Sequence, residues 1–401
     1  MFIGFFNSEI AVMKIQLLKI GLIAVALYSA PALTAPITSM PLDSDKLLLS
    51  RAIEKWNKGD IESSKQQYLK FLGRDPKNVN ALIGLAQIED NLGNSKAADA
   101  YFLTAFEHTD NSVELYTAHG RYLLKQKRID EAVSDFERAL SINPALPEAN
   151  VELAVIKLSR FGDAAAAITL YKKALETKPQ EVSYLYGLSL ALERSGNLKQ
   201  AIEPLNKIIH AAPTLVLPYK LKGHYHRKLH QYAEAITNFT FAVHKNANPS
   251  AMDYITLADV YAESGNSKNA ISTYRQAMEQ YGENEVVYTK LAYVYHMAND
   301  FEQAEVYYRK AMSINATYSE PYNNMAYIEL MHKKNPQEAL KFAKDAVKYS
   351  PKNTNYLDTL GTVYLHLNEY KRAKNIVNKA LELSPYSEEL KQTLRKIEQS
   401  Q

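Results

Sequence analysis

The sequence contains no cysteine among its 401 residues. Disulfides, thiolate zinc sites, iron–sulfur clusters and acylation of a lipoprotein cysteine are excluded in one step, while the redox compartment stays undecided. Glycine is scarce, at 14 residues, and no Gly-rich phosphate loop, Gly-x-Ser-x-Gly elbow or His-Glu-x-x-His motif occurs. Three common catalytic frameworks are therefore missing, no cofactor is expected, and the chain does not read as an enzyme. An excess of one charge is missing too: 47 Lys and Arg face 44 Asp and Glu, for a net charge of +3. That is far below what neutralising a phosphate backbone demands, so nucleic acid is not an expected partner.

Long apolar runs are also absent, with one exception. Ile20–Leu33 (IGLIAVALYSAPAL) carries no charge and follows Lys14 and Lys19. It has the length of a secretory signal's apolar core and is short for a membrane span. Small residues at Ala30, Ala32 and Ala35 suit cleavage after Ala32 or Ala35, and Met13-Lys14 makes a more conventional start than Met1. Residues 1–35 are thus read as a signal peptide or N-terminal anchor, and 36–44 as a linker. Either reading places the rest of the chain in the periplasm or outside the cell, touching a membrane only if that segment is retained.

What the sequence does have is repetition. In Ile129–Pro144 (IDEAVSDFERALSINP), Ala132, Phe136 and Ala139 recur at spacings of four and three, which puts them on one face of a helix. The same order of side chains returns at Ala98, Phe102 and Ala105, at Ala167, Tyr171 and Ala174, at Ala270, Tyr274 and Ala277, and at Ala304, Tyr308 and Ala311. A period of 34 residues, with an extra residue near Pro147 and Pro321, runs from 45 to 387 and gives ten units. Each unit carries a turn between two helices, at Gly59-Asp60, Gly93-Asn94, Gly162-Asp163, Gly196-Asn197 and Gly265-Asn266. Lys127-Arg128, His230-Gln231, Asn299-Asp300 and Asn368-Glu369 are versions without glycine. Glycine or asparagine there ends one helix in a left-handed conformation, and the Asp or Asn that follows caps the next. Residues 388–401 read as a closing helix with Leu390, Leu394 and Ile397 on one side.

The pattern of repeat seven (Tyr254, Leu257, Ala258, Tyr261, Gly265, Ala270, Tyr274, Ala277) is repeated by Tyr288, Leu291, Ala292, Tyr295, Ala304, Tyr308 and Ala311 in repeat eight. In repeat ten it is Leu357, Leu360, Gly361, Tyr364, Ala373, Ala380 and Pro385. This resembles the tetratricopeptide repeat family. The weakest units are the first, with Ser64 and Phe71 where alanine is usual, and the ninth, with Pro336 in its turn. The resemblance implies an all-α, right-handed α-solenoid (superhelix) of about ten helix-turn-helix repeats with a C-terminal capping helix. Small residues at the eighth position and a large ring at position 24 are then packing positions.

The resemblance also implies a concave groove lined by the first helix of each unit. Carried over by position, the partner-binding residues are Arg121, Lys125, Arg160, Tyr186 and Arg194, then Lys220, His224, Arg227 and Lys228, and finally Tyr293, Asn323 and Tyr327. The middle of that set is positive, which favours an acidic peptide or an anionic polysaccharide. The last part is aromatic and amide-bearing, suited to anchoring a partner. The carboxylate clamp of chaperone-binding members is not matched, since Lys220 is followed by His224 and not by asparagine. The cluster His224, His226, His230 has metal-ligand spacing at its last two members, but His226 holds a packing position and His230 a turn, so no metal is expected. The expected role is a non-catalytic scaffold of the bacterial cell envelope that binds a segment of another envelope protein in an assembly or secretion system. The alternatives are an anionic polysaccharide-binding solenoid in exopolysaccharide export and an accessory subunit of an envelope enzyme.

Overall fold

The structure of the chain, a computed structural model, describes residues 44–400. The signal segment and almost all of the linker lie outside the described residues. Among the described residues there are 21 helices and no strand, so the fold class is all-α. They fall into two compact units, one ending at Pro213 and the other starting at Thr214. In the first, five helix pairs follow one another: Ser44–Asn57 with Ile61–Leu72, Val79–Asn91 with Ser95–His108, Val113–Lys125 with Ile129–Ile142, Pro147–Ser159 with Ala164–Thr177, and Val182–Arg194 with Leu198–Ala211. The second unit continues with Val216–Lys228 and Tyr232–Lys245, Ala251–Glu263 and Ser267–Tyr281, Glu285–Met297 and Phe301–Ile314, Ser319–Met331 and Pro336–Tyr349, and Thr354–His366 and Tyr370–Leu383. Glu388–Gln399 closes it, with Leu390 and Ile397 buried. Each unit is a solenoid of helix pairs.

The turns explain why the pairs form. The five turn glycines from Gly59 to Gly265 have φ between 68° and 82°, the left-handed region that glycine enters without steric cost. Lys127, His230, Asn299, Lys334 and Asn368 adopt the same conformation at φ of 52° to 63°. Asp60, Asp163, Asn266 and Asp300 then cap the second helix, each accepting a hydrogen bond from a backbone N–H three residues on. Pro336, out of place in a turn, is in fact the first residue of its helix, where a missing N–H costs nothing, and Asn335 supplies the cap.

Between the helices, packing turns on the ring at position 24. Phe136 is fully buried, and a methyl group added at Gly120 of the same pair would meet its ring at 3.0 Å. A position-24 ring also meets the following pair: a Cβ on Gly187 would stand 2.3 Å from the ring of Tyr171, in the preceding repeat. The position-24 ring thus meets the eighth position of its own repeat at Phe136 and the sixth position of the next repeat at Tyr171. Ser64, at an alanine position in the first repeat, is fully buried without penalty because its hydroxyl donates to the Ala52 carbonyl at 2.7 Å. Gly187→Ala should displace the Tyr171 ring and lower the unfolding free energy by about 1–3 kcal/mol, measured by urea titration. An unchanged midpoint would show that the ring has room to move.

Candidate functional site

Within each unit first helices stand beside those of neighbouring repeats, as Val79–Asn91 beside Val113–Lys125 and Ala251–Glu263 beside Glu285–Met297, so side chains one repeat apart meet on a shared face. Arg121 donates from Nε to Glu152 at 2.9 Å, and Lys125 reaches back to the Asp90 carboxylate and carbonyl, both at 3.1 Å. Arg160 and Arg194 are exposed near the ends of their helices, and among the described residues neither has an ion-pair partner. Tyr186 is half-buried, and burial pushes its hydroxyl pKa up.

The second unit is more densely paired. Lys220 meets Asp253 at 2.5 Å, and Arg227 grips Glu263 with two donors at 2.9 and 2.6 Å. Asp259, only 7% exposed, receives Lys290 at 3.0 Å and the hydroxyl of Tyr274. Lys228 is exposed. The positive series expected of these positions is thus largely answered by acids from neighbouring repeats, and the unpaired charge sits at Arg160 and Arg194. Asp90, Asp253 and Glu263 were not among the anticipated site residues. Their signal in the sequence is an opposite charge recurring 31 to 36 residues away, for example Arg121 to Glu152 and Arg227 to Glu263.

His224 packs edge-on against Phe239 with ring centroids 4.8 Å apart. Burial, aided by Arg227, Lys228 and Lys220, holds its imidazole down to about 3. Metal sharing by the other two histidines has no support in the geometry: His226 Nδ1 lies 2.7 Å from Gln231, and His230 Nδ1 lies 3.0 Å from the Tyr232 hydroxyl. Among the described residues no group of three His, Asp or Glu side chains is placed to hold a metal ion.

Further along the same unit, Tyr293 and Tyr327 belong to an aromatic cluster centred on His296. Its ring lies 6.2 Å from Tyr293, 5.6 Å from Tyr327 and 5.9 Å from His332, and His332 stacks on Phe301 at 3.8 Å. Burial and the neighbouring His332 hold His296 down to about 4, so it is neutral at pH 7. Burial raises the Tyr293 hydroxyl to about 12. Met297 and Met331, 58% and 46% exposed, flank the cluster. Asn323, one helical turn before Tyr327, has a buried side-chain oxygen without a hydrogen-bond partner among the described residues.

Helix pairs with alanines at these positions and a ring between them are the hallmark of one family, and its profiles match residues 49–111, 117–180 and 157–215 as well as 250–317 and 330–397. The chain belongs to the tetratricopeptide repeat family. Among curated proteins, "Protein CTR9 homolog" of Arabidopsis thaliana is 26% identical over 242 residues, which is 57% of this chain and 22% of that relative. The chain thus spans about a fifth of that relative's length. Of solved structures, a tetratricopeptide repeat protein from Parabacteroides merdae ATCC 43184 is 17% identical, with a TM-score of 0.41, over 63% of this chain and 98% of that one. The APC/C hetero-tetramer Cut9-Hcn1 is 12% identical, with a TM-score of 0.42, over 89% and 96%. Tetratricopeptide repeat solenoids are protein-interaction scaffolds and are typically non-catalytic.

Asp259→Ala should cost about 3 kcal/mol, because Lys290 and Tyr274 lose their buried partner, whereas Lys125→Ala should cost under about 1 kcal/mol at its exposed site. Chemical denaturation of the two variants side by side tests the contrast, and equal effects would contradict it. For His224, the folded pKa lies below the unfolded value of about 6.5, so the unfolded chain binds the extra proton and stability falls as pH drops from there toward 3. Wild type should therefore lose about 1–2 kcal/mol more than His224→Gln between pH 7 and 4.5. Parallel losses would show that His224 does not titrate in this window.

Proposed function

We propose that this chain is a non-catalytic scaffold exported to the bacterial cell envelope, whose first-helix faces form a groove for a peptide or helical segment of another envelope protein. The observation that carries the reading is the cluster of Tyr293, His296, Tyr327, Met297 and Met331. Its methionines are exposed although they stand on helices that bury Leu291, Ala292, Met325 and Ala326 in packing. Aromatic and methionine side chains offer large, adaptable contact area, the usual material of binding hot spots. Export rests on Lys14, Lys19 and the apolar run Ile20–Leu33. The same face would serve in an assembly or secretion system, or in the accessory subunit of an envelope enzyme.

A second reading, an anionic polysaccharide as ligand, is favoured by exposed Arg160 and Arg194 in the first unit. A photo-crosslinking amino acid placed at Tyr327 in growing cells should capture a protein, whereas one placed at exposed Leu103, on a second helix, should not. Equal or absent capture at both positions would overturn the proposal. N-terminal sequencing of the fractionated protein should find Leu33 or Pro36 first, or else an intact segment in the inner membrane. An uncleaved chain in the cytosol would remove the envelope from the reading.

A further inference from the structure

Glu285–Met297 and Ser319–Met331 are first helices of successive repeats, and their side chains oppose one another in matched order. Lys290 acts through space on Glu320, and His296 faces Tyr327 ring to ring. Glu320, Asn323 and Tyr327 succeed each other at spacings of three and four, so they form one stripe, and Tyr293 and His296 form the stripe across from it. Three buried polar atoms in these stripes have no hydrogen-bond partner among the described residues: Glu320 Oε1, Asn323 Oδ1 and His296 Nδ1. Buried polar atoms are nearly always paired, and leaving one without a partner is destabilising. The second oxygen of Glu320 accepts from the Tyr318 hydroxyl at 2.8 Å, and the nearby ammonium of Lys290 is held by Asp259. Glu320 is thus a covered carboxyl whose Oε1 has no hydrogen-bond donor among the described residues; the buried Tyr308 hydroxyl acts on it through space without a hydrogen bond to it.

We infer that this stripe receives a cationic side chain, lysine or arginine, from the bound protein segment, its head group donating to Glu320 Oε1 and Asn323 Oδ1 and its stem lying against Tyr293 and Tyr327. The inference rests on the reading that this face binds a protein segment, and it names the chemistry of that segment. A carboxylate or other anion is disfavoured, since it would face the Glu320 carboxyl and acceptor atoms already short of donors. A divalent cation would need more carboxylates than are gathered here: among the described residues no group of three His, Asp or Glu is placed for a metal. The aromatic rings add attraction for a cation over their faces. Burial holds the Glu320 carboxyl up at about 7 despite Tyr318 and Lys290, as expected of an acid without sufficient counter-charge.

The test is to select random displayed dodecapeptides on the full-length protein and then measure the recovered peptides against variants. Selected peptides should carry lysine or arginine, and replacing that arginine with neutral citrulline should weaken binding about tenfold or more, as loss of a charge-assisted hydrogen bond does. Glu320→Gln keeps the shape and the Tyr318 contact, and it should weaken the arginine peptide by a similar factor while leaving the citrulline peptide nearly unaffected. Circular dichroism and melting confirm that this variant folds, and the citrulline peptide needs no variant at all. If the peptides lack basic residues, or citrulline binds as well, while Tyr293→Ala and Tyr327→Ala still weaken them, the cation inference is wrong and the segment-binding reading stands. If the peptides ignore Tyr293→Ala and Tyr327→Ala as well, both fail.

Discussion

A phenylalanine or tyrosine ring has to be accommodated between helices whose axes stand about 8–10 Å apart, and wherever it sits the facing positions must be small. Phe136 and Tyr171 are buried because Gly120 and Gly187 leave them room, Gly120 within the repeat of its ring and Gly187 in the repeat that follows its ring. No repeat covers its own apolar face. Stability then depends on nearest neighbours, as in any solenoid, and the closing helix Glu388–Gln399 covers the last pair with Leu390 and Ile397 while turning charged side chains outward.

The same constraint explains how much could be read without coordinates. Alanine and ring spacings within one helix are local, so the helices and the ring positions were legible, and so were turns such as Lys127-Arg128 that lack glycine. The ninth repeat looked irregular because Pro336 was counted as a turn residue; it opens a helix instead. The sixth-position role of Gly187 was not legible, since it depends on contact with the preceding repeat. The charges followed that pattern. Basic residues on the first helices were visible, but Glu152, Asp253 and Glu263 lie about one period away, and their pairing emerges only once the repeats are stacked in register.

Stacking in register also redistributes what the surface offers. Arginines and lysines held by a neighbour's carboxylate steer a ligand weakly, because the pair presents little net field. Among the anticipated partner-binding positions of the first unit, the remaining positive character belongs to Arg160 and Arg194. In the second, the first-helix face is marked by rings, methionines and acceptor atoms. Two chemically different surfaces arise from one repeated backbone, since the packing positions are occupied alike and the first-helix positions are left to vary.

That division bears on how the chain finds its own order. With alanines and a ring at nearly every junction, the apolar contacts between repeats are almost interchangeable and would tolerate a strand of repeats stacked with one skipped. The ion pairs are not interchangeable. Arg227 needs Glu263, and Lys290 needs Asp259, and a junction formed with the wrong neighbour would leave such a charge covered without a counter-ion. The pairs act as addresses on otherwise uniform seams, discouraging the misassembly to which repeated domains are prone.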